Sequence, residues 1–316
     1  MRVAVVILNY NGEHHLAHYL PAVVGNSGGA DIVVADNGST DGSVQLLKRD
    51  FSSVQLIELE QNYGFAEGYN RAIAQVDSDY VVLLNSDVEV TPCWLDTLLK
   101  YARTHEEVAA LQPKVLSWYS KQDVLVGKTQ KVRFEHAGAA GGMIDCLGYP
   151  YCYGRLLTNL EEDNGQYDTP TPIFWASGAC LFIRRDVYVK EGGLDSVFFA
   201  HQEEIDLCWR LHCRGYQIMS VPQSVVYHVG GGTLGYESPR KTFLNFRNNL
   251  LMLYKNLPPT KWLLVMLIRW PLDYVAAMQM LLAGKWLNFK AVLQARCAFW
   301  RLRKQYKMIR KGNLRN

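Results

Sequence analysis

Residues 80–87 read YVVLLNSD, a run of apolar and aromatic residues followed by the polar turn Asn85-Ser86-Asp87. A short apolar run that is bounded by turn residues predicts a buried strand. Tyr80–Leu84 is therefore predicted to be a strand, the fourth in a regular series. The three earlier strands are predicted at Arg2–Leu8, Asp31–Ala35 and Val54–Leu59.

Helical patterns separate these four strands, near His14–Val24, Thr40–Lys48 and Ala66–Val76. Strands that alternate with helices predict a doubly wound α/β sheet, in which right-handed crossovers make neighbouring strands parallel. After the fourth strand, Thr91 is predicted to cap a helix that has Pro92 at its first position.

The second half of the chain has a less regular pattern. Leu116–Thr171 is polar and rich in glycine and tyrosine, and no structure is assigned to it. Ile173–Arg184 and Gln217–Val229 are predicted to be strands, and Glu203–Arg214 is predicted to be a helix that ends at Gly215.

Composition limits the class of protein. The chain has 316 residues, of which 49% are hydrophobic, and this suffices for a large core. Its seven cysteines include no CxxC pair, which argues against a disulfide framework or a zinc site and favours a reducing compartment. The apolar run Val3–Leu8 is too short for a signal peptide, so we expect the catalytic region in the cytoplasm.

The C-terminal part is basic and partly apolar. Ten of the 33 Lys and Arg residues lie in 285–315 with no Asp or Glu, so this tail carries +10 and residues 1–273 carry 23 − 30 = −7. The apolar runs Trp262–Ile268 and Tyr274–Ala283 are interrupted by charged residues and proline, and each is too short to span a bilayer. The pattern predicts helices that lie on an anionic membrane surface. Together with the family resemblance given below, it implies the cytoplasmic face of the inner membrane. An apolar subdomain that packs on the core is the alternative, and a nucleic-acid partner is not expected because the acidic body offers no basic surface.

All four predicted strands end in polar turns. In open α/β sheets, ligands bind at the carboxyl ends of the strands, so these turns predict a cleft for a polar ligand. Each turn taken alone is also explained by ordinary turn formation or helix capping. The first turn, Asn9-Tyr10-Asn11-Gly12, lacks a GxGxxG pattern, which argues against a Rossmann dehydrogenase.

Several motifs in a fixed order identify a resemblance. They are Asn9-Tyr10-Asn11, Asp36-Asn37-Gly38-Ser39-Thr40-Asp41-Gly42, Asn62-Tyr63-Gly64-Phe65-Ala66 with Gly68-Tyr69-Asn70, Asn85-Ser86-Asp87, Glu203-Glu204-Ile205-Asp206-Leu207-Cys208-Trp209-Arg210 and His228-Val229-Gly230-Gly231. Over residues 3–255 the chain resembles the family 2 glycosyltransferases, and within them the rhamnosyltransferase-like branch.

The resemblance implies a fold and a division into domains. The fold is GT-A, an α/β Rossmann-like nucleotide-binding core with a mixed, mostly parallel sheet, followed here by a C-terminal helical extension. Residues 1–255 would form the GT-A domain, with a nucleotide-sugar half at 1–115 and an acceptor half at 116–255. Residues 256–316 would form the membrane-associating helices.

The resemblance also implies which residues bind the donor. They are Asn9, Tyr10, Asn11, Asp36, Asn37, Ser39, Asn62, Gly64, Gly68, Asn85 and Ser86. Asp36 would accept a hydrogen bond from the imide N–H of a pyrimidine base, a pairing that rejects bases with an acceptor at that position. Asn85-Ser86-Asp87 occupies the DxD position, where Asp87 and His228 would bind Mn²⁺ or Mg²⁺ against the donor diphosphate.

The remaining roles concern the acceptor. By resemblance, Glu204 is the base that deprotonates the acceptor hydroxyl, with Glu203 as the second candidate. Asp206 and Arg210, four residues apart on a helix, are predicted to form an ion pair. Trp175, Ser177 and Arg247 are acceptor-side candidates, although Trp175 also suits the core and Arg247 a solvated helix face.

The resemblance implies an inverting, metal-dependent transfer of a sugar to a hydroxyl group. The donor would be a nucleotide diphosphate sugar, such as dTDP-rhamnose or a UDP-sugar. The acceptor would be a glycan or a lipid-linked acceptor in the assembly of a surface polysaccharide. A non-catalytic, membrane-docked nucleotide-sugar binder and a sugar-phosphate nucleotidyltransferase are the alternatives. The nucleotidyltransferase would require a basic, glycine-rich loop after the first strand, where Glu13-His14-His15 stands.

Overall fold

The computed structural model describes residues 1–156, 159–230 and 238–314. The strands are β1 (Val3–Asn9), β2 (Asp31–Asp36), β3 (Gln55–Glu58), β4 (Tyr80–Asn85), β5 (Val88–Val90), β6 (Val108–Ser117), β7 (Gly142–Ile144), β8 (Pro150–Cys152), β9 (Arg155–Leu156), β10 (Asn159–Leu160), β11 (Thr171–Pro172), β12 (Cys180–Arg184) and β13 (Gln217–His228). The helices are α1 (Glu13–Asn26), α2 (Ser43–Asp50), α3 (Gly64–Ala74), α4 (Trp94–Thr104), α5 (Trp118–Leu125), α6 (Arg185–Lys190), α7 (Glu203–Cys213), α8 (Pro239–Asn256), α9 (Pro259–Leu282), α10 (Trp286–Leu302) and α11 (Lys307–Asn313).

A nine-stranded mixed sheet forms the centre of the molecule, in the order β11-β13-β6-β12-β4-β1-β2-β3, with β5 paired to β13. The four predicted N-terminal strands are confirmed, and β3, β2, β1 and β4 pair in parallel. Leu8 lies opposite Asn85 and Asn9 lies opposite Asp36. The polar ends of β1, β2 and β4 therefore meet at one edge of the sheet.

Both faces of the sheet are buried, which explains why its central strands read as continuous apolar runs. Ala4 and Val6 point into a cluster that includes Tyr69 of α3. Val5 and Ile7, on the opposite face, pack into a cluster that includes Leu16 of α1. The alternation along β1 thus serves two separate hydrophobic layers.

Two predicted element boundaries are wrong. The strand predicted at Ile173–Arg184 begins only at Cys180, because Trp175 bonds to Gly142 and the chain turns at Ser177, whose carbonyl accepts from the Cys180 amide at 3.1 Å. The helix predicted to be capped by Thr91 begins at Trp94. The Thr91 hydroxyl instead donates to the Val225 carbonyl at 2.7 Å, so a contact across the sheet replaces the cap.

The segment that had no predicted structure contributes to the core. It holds α5 and the two small antiparallel pairs β7–β8 and β9–β10. Phe134 and Ala139 from this segment are fully buried in the hydrophobic cluster beneath α3 and α7. Its irregular pattern reflects short strands and turns, for which hydrophobic periodicity is a weak signal.

The C-terminal helices differ from their predicted form. The two apolar runs predicted as separate pieces belong to the single helix α9, which continues through Pro271. Arg269 and Asp273 point inward, where they bond to each other at 3.3 Å, so they do not interrupt the outer apolar face. Over the ranges that the structure describes, α9 is the helix with sufficient length and hydropathy to cross a bilayer.

Candidate active site

The ends of β1 and β2 are joined by a network of side-chain hydrogen bonds. The Asn9 amide donates to an Asp36 carboxylate oxygen at 3.0 Å, and the other oxygen of Asp36 accepts from the Ser39 amide at 2.9 Å. The Ser39 hydroxyl accepts from the Asn11 amide at 2.9 Å. Tyr10, which is 40% exposed, stands at the rim of this network. The structure therefore brings together the four residues predicted to surround the nucleoside, which are Asn9, Tyr10, Asn11 and Asp36.

The exit of β3 is attached to the same network through Asn37. Its side chain donates to Asn62 at 3.2 Å and accepts from the Tyr63 amide at 3.0 Å. Asn62 in turn accepts from the Gly64 amide at 2.8 Å. These bonds hold the turn before α3 against the end of β2.

Gly64 and Gly68 are explained by packing within the protein. A Cβ atom on Gly64, which has φ +80°, would lie 2.4 Å from the ring of Phe199. A Cβ atom on Gly68 would lie 2.9 Å from a methyl group of Leu8. Both positions require glycine because side chains from other elements contact the backbone there.

A buried charged cluster follows the end of β4. Asp87 and His228 come together because β5 pairs with the end of β13, with Val88 opposite His228. The Asp87 Oδ1 atom lies 3.2 Å from His228 Nε2, and His228 Nδ1 lies 3.4 Å from Glu135 Oε2. Burial acts to lower the pKa of His228, but the charges of Asp87 and Glu135 prevail and raise it to about 10.

The geometry of this cluster fits a divalent cation. Two ligands that bind one ion at about 2.1 Å and at right angles are about 3 Å apart. The 3.2 Å between Asp87 Oδ1 and His228 Nε2 is that of an ion pair and also matches this separation, so a cation bound here would replace the proton between the two side chains. The Asn85 amide nitrogen lies 3.5 Å from the same imidazole nitrogen. Within the described residues, no three His, Cys, Asp or Glu side chains surround one metal position, so further ligands would come from the donor and water.

Glu135 is a site residue that sequence reasoning missed. It lies in the segment without predicted structure, and no motif distinguishes it. Its carboxylate faces the imidazole nitrogen of His228 that does not face Asp87. A carboxylate in this position holds the ring of a metal-binding histidine in place and makes it a stronger ligand.

Glu203 and Glu204 begin α7 in an unusual environment. The preceding residues His201 and Gln202 have φ values of 71° and 70°, which are uncommon for residues with a side chain. One carboxylate oxygen of each glutamate is buried without a hydrogen-bond partner among the described atoms. Burial raises the pKa of Glu204 to about 7. Burial also raises the pKa of Glu203 well above its usual value, and the charge of Glu204 adds to this effect. Unpaired buried carboxylates of this kind indicate a functional site.

Glu204 lies beside the segment that precedes β12 and that bonds to the end of β4. Its Cβ atom is 3.9 Å from the position that a Cβ atom on Gly178 would occupy. The next residue, Ala179, accepts a hydrogen bond from the Asn85 amide at 3.0 Å. Glu203 is 3% exposed, whereas Glu204 is only partly buried and is the more accessible of the two carboxylates.

The predicted pairing of Asp206 with Arg210 is confirmed. The Arg210 guanidinium donates to Asp206 at 3.0 Å, and Lys255 of α8 donates to the same carboxylate oxygen at 2.8 Å. This buried network attaches α7 to α8. The other two acidic side chains at the start of α7 are therefore the ones left for chemistry.

The chain matches a known protein family over more than half of its length. The model of glycosyl transferase family 2 matches residues 4–189, which include all four polar strand exits and most of the sheet. The chain belongs to glycosyltransferase family 2. This glycosyltransferase thus transfers a sugar, and family membership argues against the nucleotidyltransferase alternative.

Known relatives agree with this assignment. A protein of Mycobacterium tuberculosis named N-acetylglucosaminyl-diphospho-decaprenol L-rhamnosyltransferase is 29% identical over 71% of this chain and 75% of its own length. The resemblance to the rhamnosyltransferase-like branch is therefore confirmed.

Solved structures confirm the GT-A fold. GalNAc-T7 with UDP, GalNAc and Mn²⁺ matches with a TM-score of 0.62 and 15% identity, over 83% of this chain and 49% of that one. The mannosyltransferase PcManGT of Pyrobaculum calidifontis, in complex with GDP-Man and Mn²⁺, matches with a TM-score of 0.56 and 15% identity. The match covers 99% of this chain and 85% of that one.

The three acceptor-side candidates have structural roles in this glycosyltransferase. Trp175 is 5% exposed, packs against Gly142 and donates its indole N–H to the Met143 carbonyl at 2.8 Å, so its ring is a core element and closed to a sugar. Ser177 is buried and donates to the Ala137 carbonyl. The Arg247 guanidinium donates to the carbonyls of Val197 and Phe198, so it anchors the turn before α7 and is not a solvated helix residue.

Proposed function

We propose that this glycosyltransferase inverts the anomeric centre, and that Glu204 is its general base. The observation that carries the proposal is the partly buried Glu204 side chain, one of whose carboxylate oxygens has no hydrogen-bond partner among the described atoms. Its Cβ atom lies beside Gly178, and the next residue, Ala179, bonds to Asn85 at the end of β4. A base with a pKa of about 7 is deprotonated in much of the population at neutral pH and still accepts a proton effectively.

The reaction is a single displacement. The acceptor oxygen forms a bond to the anomeric carbon while the bond from that carbon to the diphosphate oxygen breaks. The acceptor proton passes to Glu204, and the electron pair leaves with the nucleoside diphosphate. A divalent cation held by Asp87 and His228 would supply positive charge against the leaving group.

The donor is proposed to be a nucleotide diphosphate sugar that lies along the ends of β1, β2 and β4. Each Asp36 oxygen retains a lone pair after its bond to Asn9 or Ser39, which supports a contact with an imide N–H. Asn9 Oδ1 is buried without a partner among the described atoms and is a second candidate for a donor contact. The rhamnosyltransferase relative supports dTDP-rhamnose as the first donor to test, followed by UDP-sugars.

The acceptor is proposed to be a lipid-linked glycan, and the protein is proposed to bind the cytoplasmic face of the inner membrane. The M. tuberculosis relative is named for a diphospho-decaprenol substrate. In this chain, α9 buries the charged side chains of Arg269 and Asp273 and exposes apolar ones. Arg269 is 2% exposed, bonds to Asn249 at 2.7 Å and lies over the ring of Tyr149, whereas Leu267 is 66% exposed.

The exposed apolar side chains of α9 form one outward surface. They are Leu263, Leu264, Leu267, Ile268, Leu272, Val275, Met278 and Leu282. A helix that buries its charges and exposes its leucines has its apolar face toward a nonaqueous environment. This supports residues 256–316 as a membrane-associating unit beside the GT-A domain at 1–255.

The experiment that tests this function measures release of nucleoside diphosphate from thymidine, uridine and guanosine diphosphate sugars with Mn²⁺ and a lipid-linked acceptor. We expect release from one donor class, and loss of release in Glu204→Gln while donor binding persists. Binding without turnover by the unmodified protein would instead indicate a non-catalytic binder. Unchanged turnover in Glu204→Gln would reject Glu204 as the base.

A further inference from the structure

A groove lies between α8 and α10, outside the donor cleft. It has a volume of about 350 Å³ and is lined by Arg240, Phe243, Leu287, Lys290, Ala291 and Gln294. The first turns of the two helices form its walls. A hydrogen bond joins these turns, in which the Asn288 amide donates to the Thr242 hydroxyl at 2.8 Å. We refer to it as the α8–α10 groove.

The side chains that line the α8–α10 groove include two basic residues and no acidic one. Neither α8 nor α10 contains an Asp or Glu residue. Arg240 lies over the ring of Phe199 at 4.7 Å, and Lys290 lies over the ring of Trp286 at 4.9 Å. Aromatic rings orient these cations without neutralising them, so both charges remain available to a ligand.

The outer end of the groove is apolar. Leu287 lines it and is 62% exposed, and the neighbouring Trp286 and Leu282 are also exposed. Leu282 is the last residue of the apolar surface of α9. A ligand of this groove therefore has an anionic group between Arg240 and Lys290 and a hydrocarbon part that continues onto the membrane-facing surface.

A series of contacts links Arg240 to the candidate base. Phe199, whose ring Arg240 covers, accepts a hydrogen bond through its carbonyl from the Phe65 amide at 2.7 Å. The ring of Phe65 lies 3.2 Å from the position that a Cβ atom on Gly178 would occupy, and the Glu204 Cβ atom lies 3.9 Å from the same position. Phe199, Phe65 and Gly178 thus connect Arg240 to Glu204.

Arg247 does not serve the same purpose, although it stands on the same helix. Its guanidinium is engaged by backbone carbonyls of the 196–198 turn and by Asn248. Arg240 lies two helical turns earlier and has no such bond to a described residue. Of these two arginines, Arg240 is therefore the one that remains available to a ligand of the groove.

We propose that the α8–α10 groove binds the diphosphate of an isoprenoid-linked acceptor, with Arg240 and Lys290 on the phosphate oxygens. The isoprenoid would run along Leu287 onto the apolar surface, and the sugar on the other side of the diphosphate would reach Glu204. This inference rests on the proposed function, because it assumes a lipid-linked acceptor. It goes further by naming the group that is recognised and the residues that recognise it.

The test measures binding of farnesyl diphosphate to the full chain. Uridine, thymidine and guanosine diphosphates with Mn²⁺ are added to occupy the donor side. We expect R240Q/K290Q to weaken binding on the order of tenfold or more, because two charge-assisted contacts are lost. R240K/K290R, which keeps both charges, should retain most of the affinity.

The matched control is R301Q/K304Q, which removes two exposed charges from the basic tail. We expect it to leave farnesyl diphosphate binding within about twofold. Equal weakening in both double variants, or farnesol binding as tightly as farnesyl diphosphate, would reject the inference. The inference would also be rejected if R240Q/K290Q lost as much affinity for phosphatidylglycerol vesicles as for farnesyl diphosphate. The groove would then bind phospholipid headgroups.

The failure of this inference is distinguishable from failure of the proposed function. Transfer to an alkyl glycoside that lacks phosphate tests the function alone, because this acceptor has no group for Arg240 and Lys290 to bind. Transfer without farnesyl diphosphate binding would reject the groove and keep the function. Selective farnesyl diphosphate binding without transfer would keep the groove and reject the function.

Discussion

Replacing Glu204 with Gln is expected to abolish transfer and at the same time to stabilise the fold. The amide keeps the shape of the side chain but does not accept the acceptor proton. Loss of a general base lowers the rate by roughly 10² to 10⁴. In the unmodified enzyme, a pKa of about 7 for Glu204 also predicts that kcat/KM rises about tenfold per pH unit below pH 7 and levels off above it.

The effect on stability follows from the same raised pKa. Below pH 4.5 the carboxyl group is protonated in both the folded and the unfolded chain, so it has no effect on the free energy of unfolding. Between pH 4.5 and about 7 the unfolded chain loses this proton more readily, and above pH 7 the cost to folding is complete. At about 1.4 kcal/mol per tenfold change in the equilibrium, and allowing for the partial exposure of Glu204, the cost is roughly 1 to 3 kcal/mol at pH 8.

Removing this cost should raise the free energy of unfolding of Glu204→Gln above that of the unmodified protein. Urea unfolding of both proteins, at pH 8 and at the lowest pH where the fold persists, measures this gain in stability. The gain should be present at pH 8 and shrink toward zero as the pH approaches 4.5. Glu106→Gln, which replaces an exposed carboxylate before β6, is the control and should change neither activity nor stability. A gain that does not depend on pH, or lower stability at pH 8, would show that Glu204 is not an uncompensated buried acid.

Four other substitutions test the metal site, the membrane contact and the role of Trp175. Asp87→Asn should raise the Mn²⁺ concentration for half-maximal activity by about 10- to 100-fold, and Glu135→Gln should raise it by about tenfold through His228; an unchanged Mn²⁺ titration in both would reject the site. Leu267→Glu should abolish flotation with anionic vesicles without altering transfer to a water-soluble acceptor, and persistent flotation would place the membrane contact elsewhere. Trp175→Ala should lower the free energy of unfolding by about 3 to 5 kcal/mol, whereas a raised acceptor KM at unchanged stability would return Trp175 to the acceptor site.

Because α9 buries the charged side chains of Arg269 and Asp273 and exposes apolar ones, these charges have a different role from the one that the sequence indicates. As a sequence, Arg269 and Asp273 interrupt an apolar run. In the structure, Arg296 of α10 lies 3.5 Å from Asp273, and the Tyr149 hydroxyl donates to Asp273 at 3.2 Å. The same charges therefore attach α9 to the body of the enzyme and leave its apolar side outward. Their effect depends on which face of the helix is buried. A count of charges along the chain does not tell which face that is.

The sequence alone determined the features that depend on neighbouring residues. Buried parallel strands read as apolar runs, so the first four strands and the polar turns that follow them were predictable. Asn85-Ser86-Asp87 and Glu203-Glu204 were found because each is a short contiguous motif. The pairing of Asp206 with Arg210 was found because residues four apart meet on one side of a helix.

Only the tertiary structure decided the contacts between residues that are distant along the chain. Glu135 reaches His228 from a segment without periodicity, and Trp175 is closed off by Gly142, which lies 33 residues away. Arg240 meets Phe199 only after α8 has packed beside α7. Local patterns report the periodicity of an element and the chemistry of a turn. They do not report which face of a helix meets which strand, because that choice is made by burial summed over the whole core.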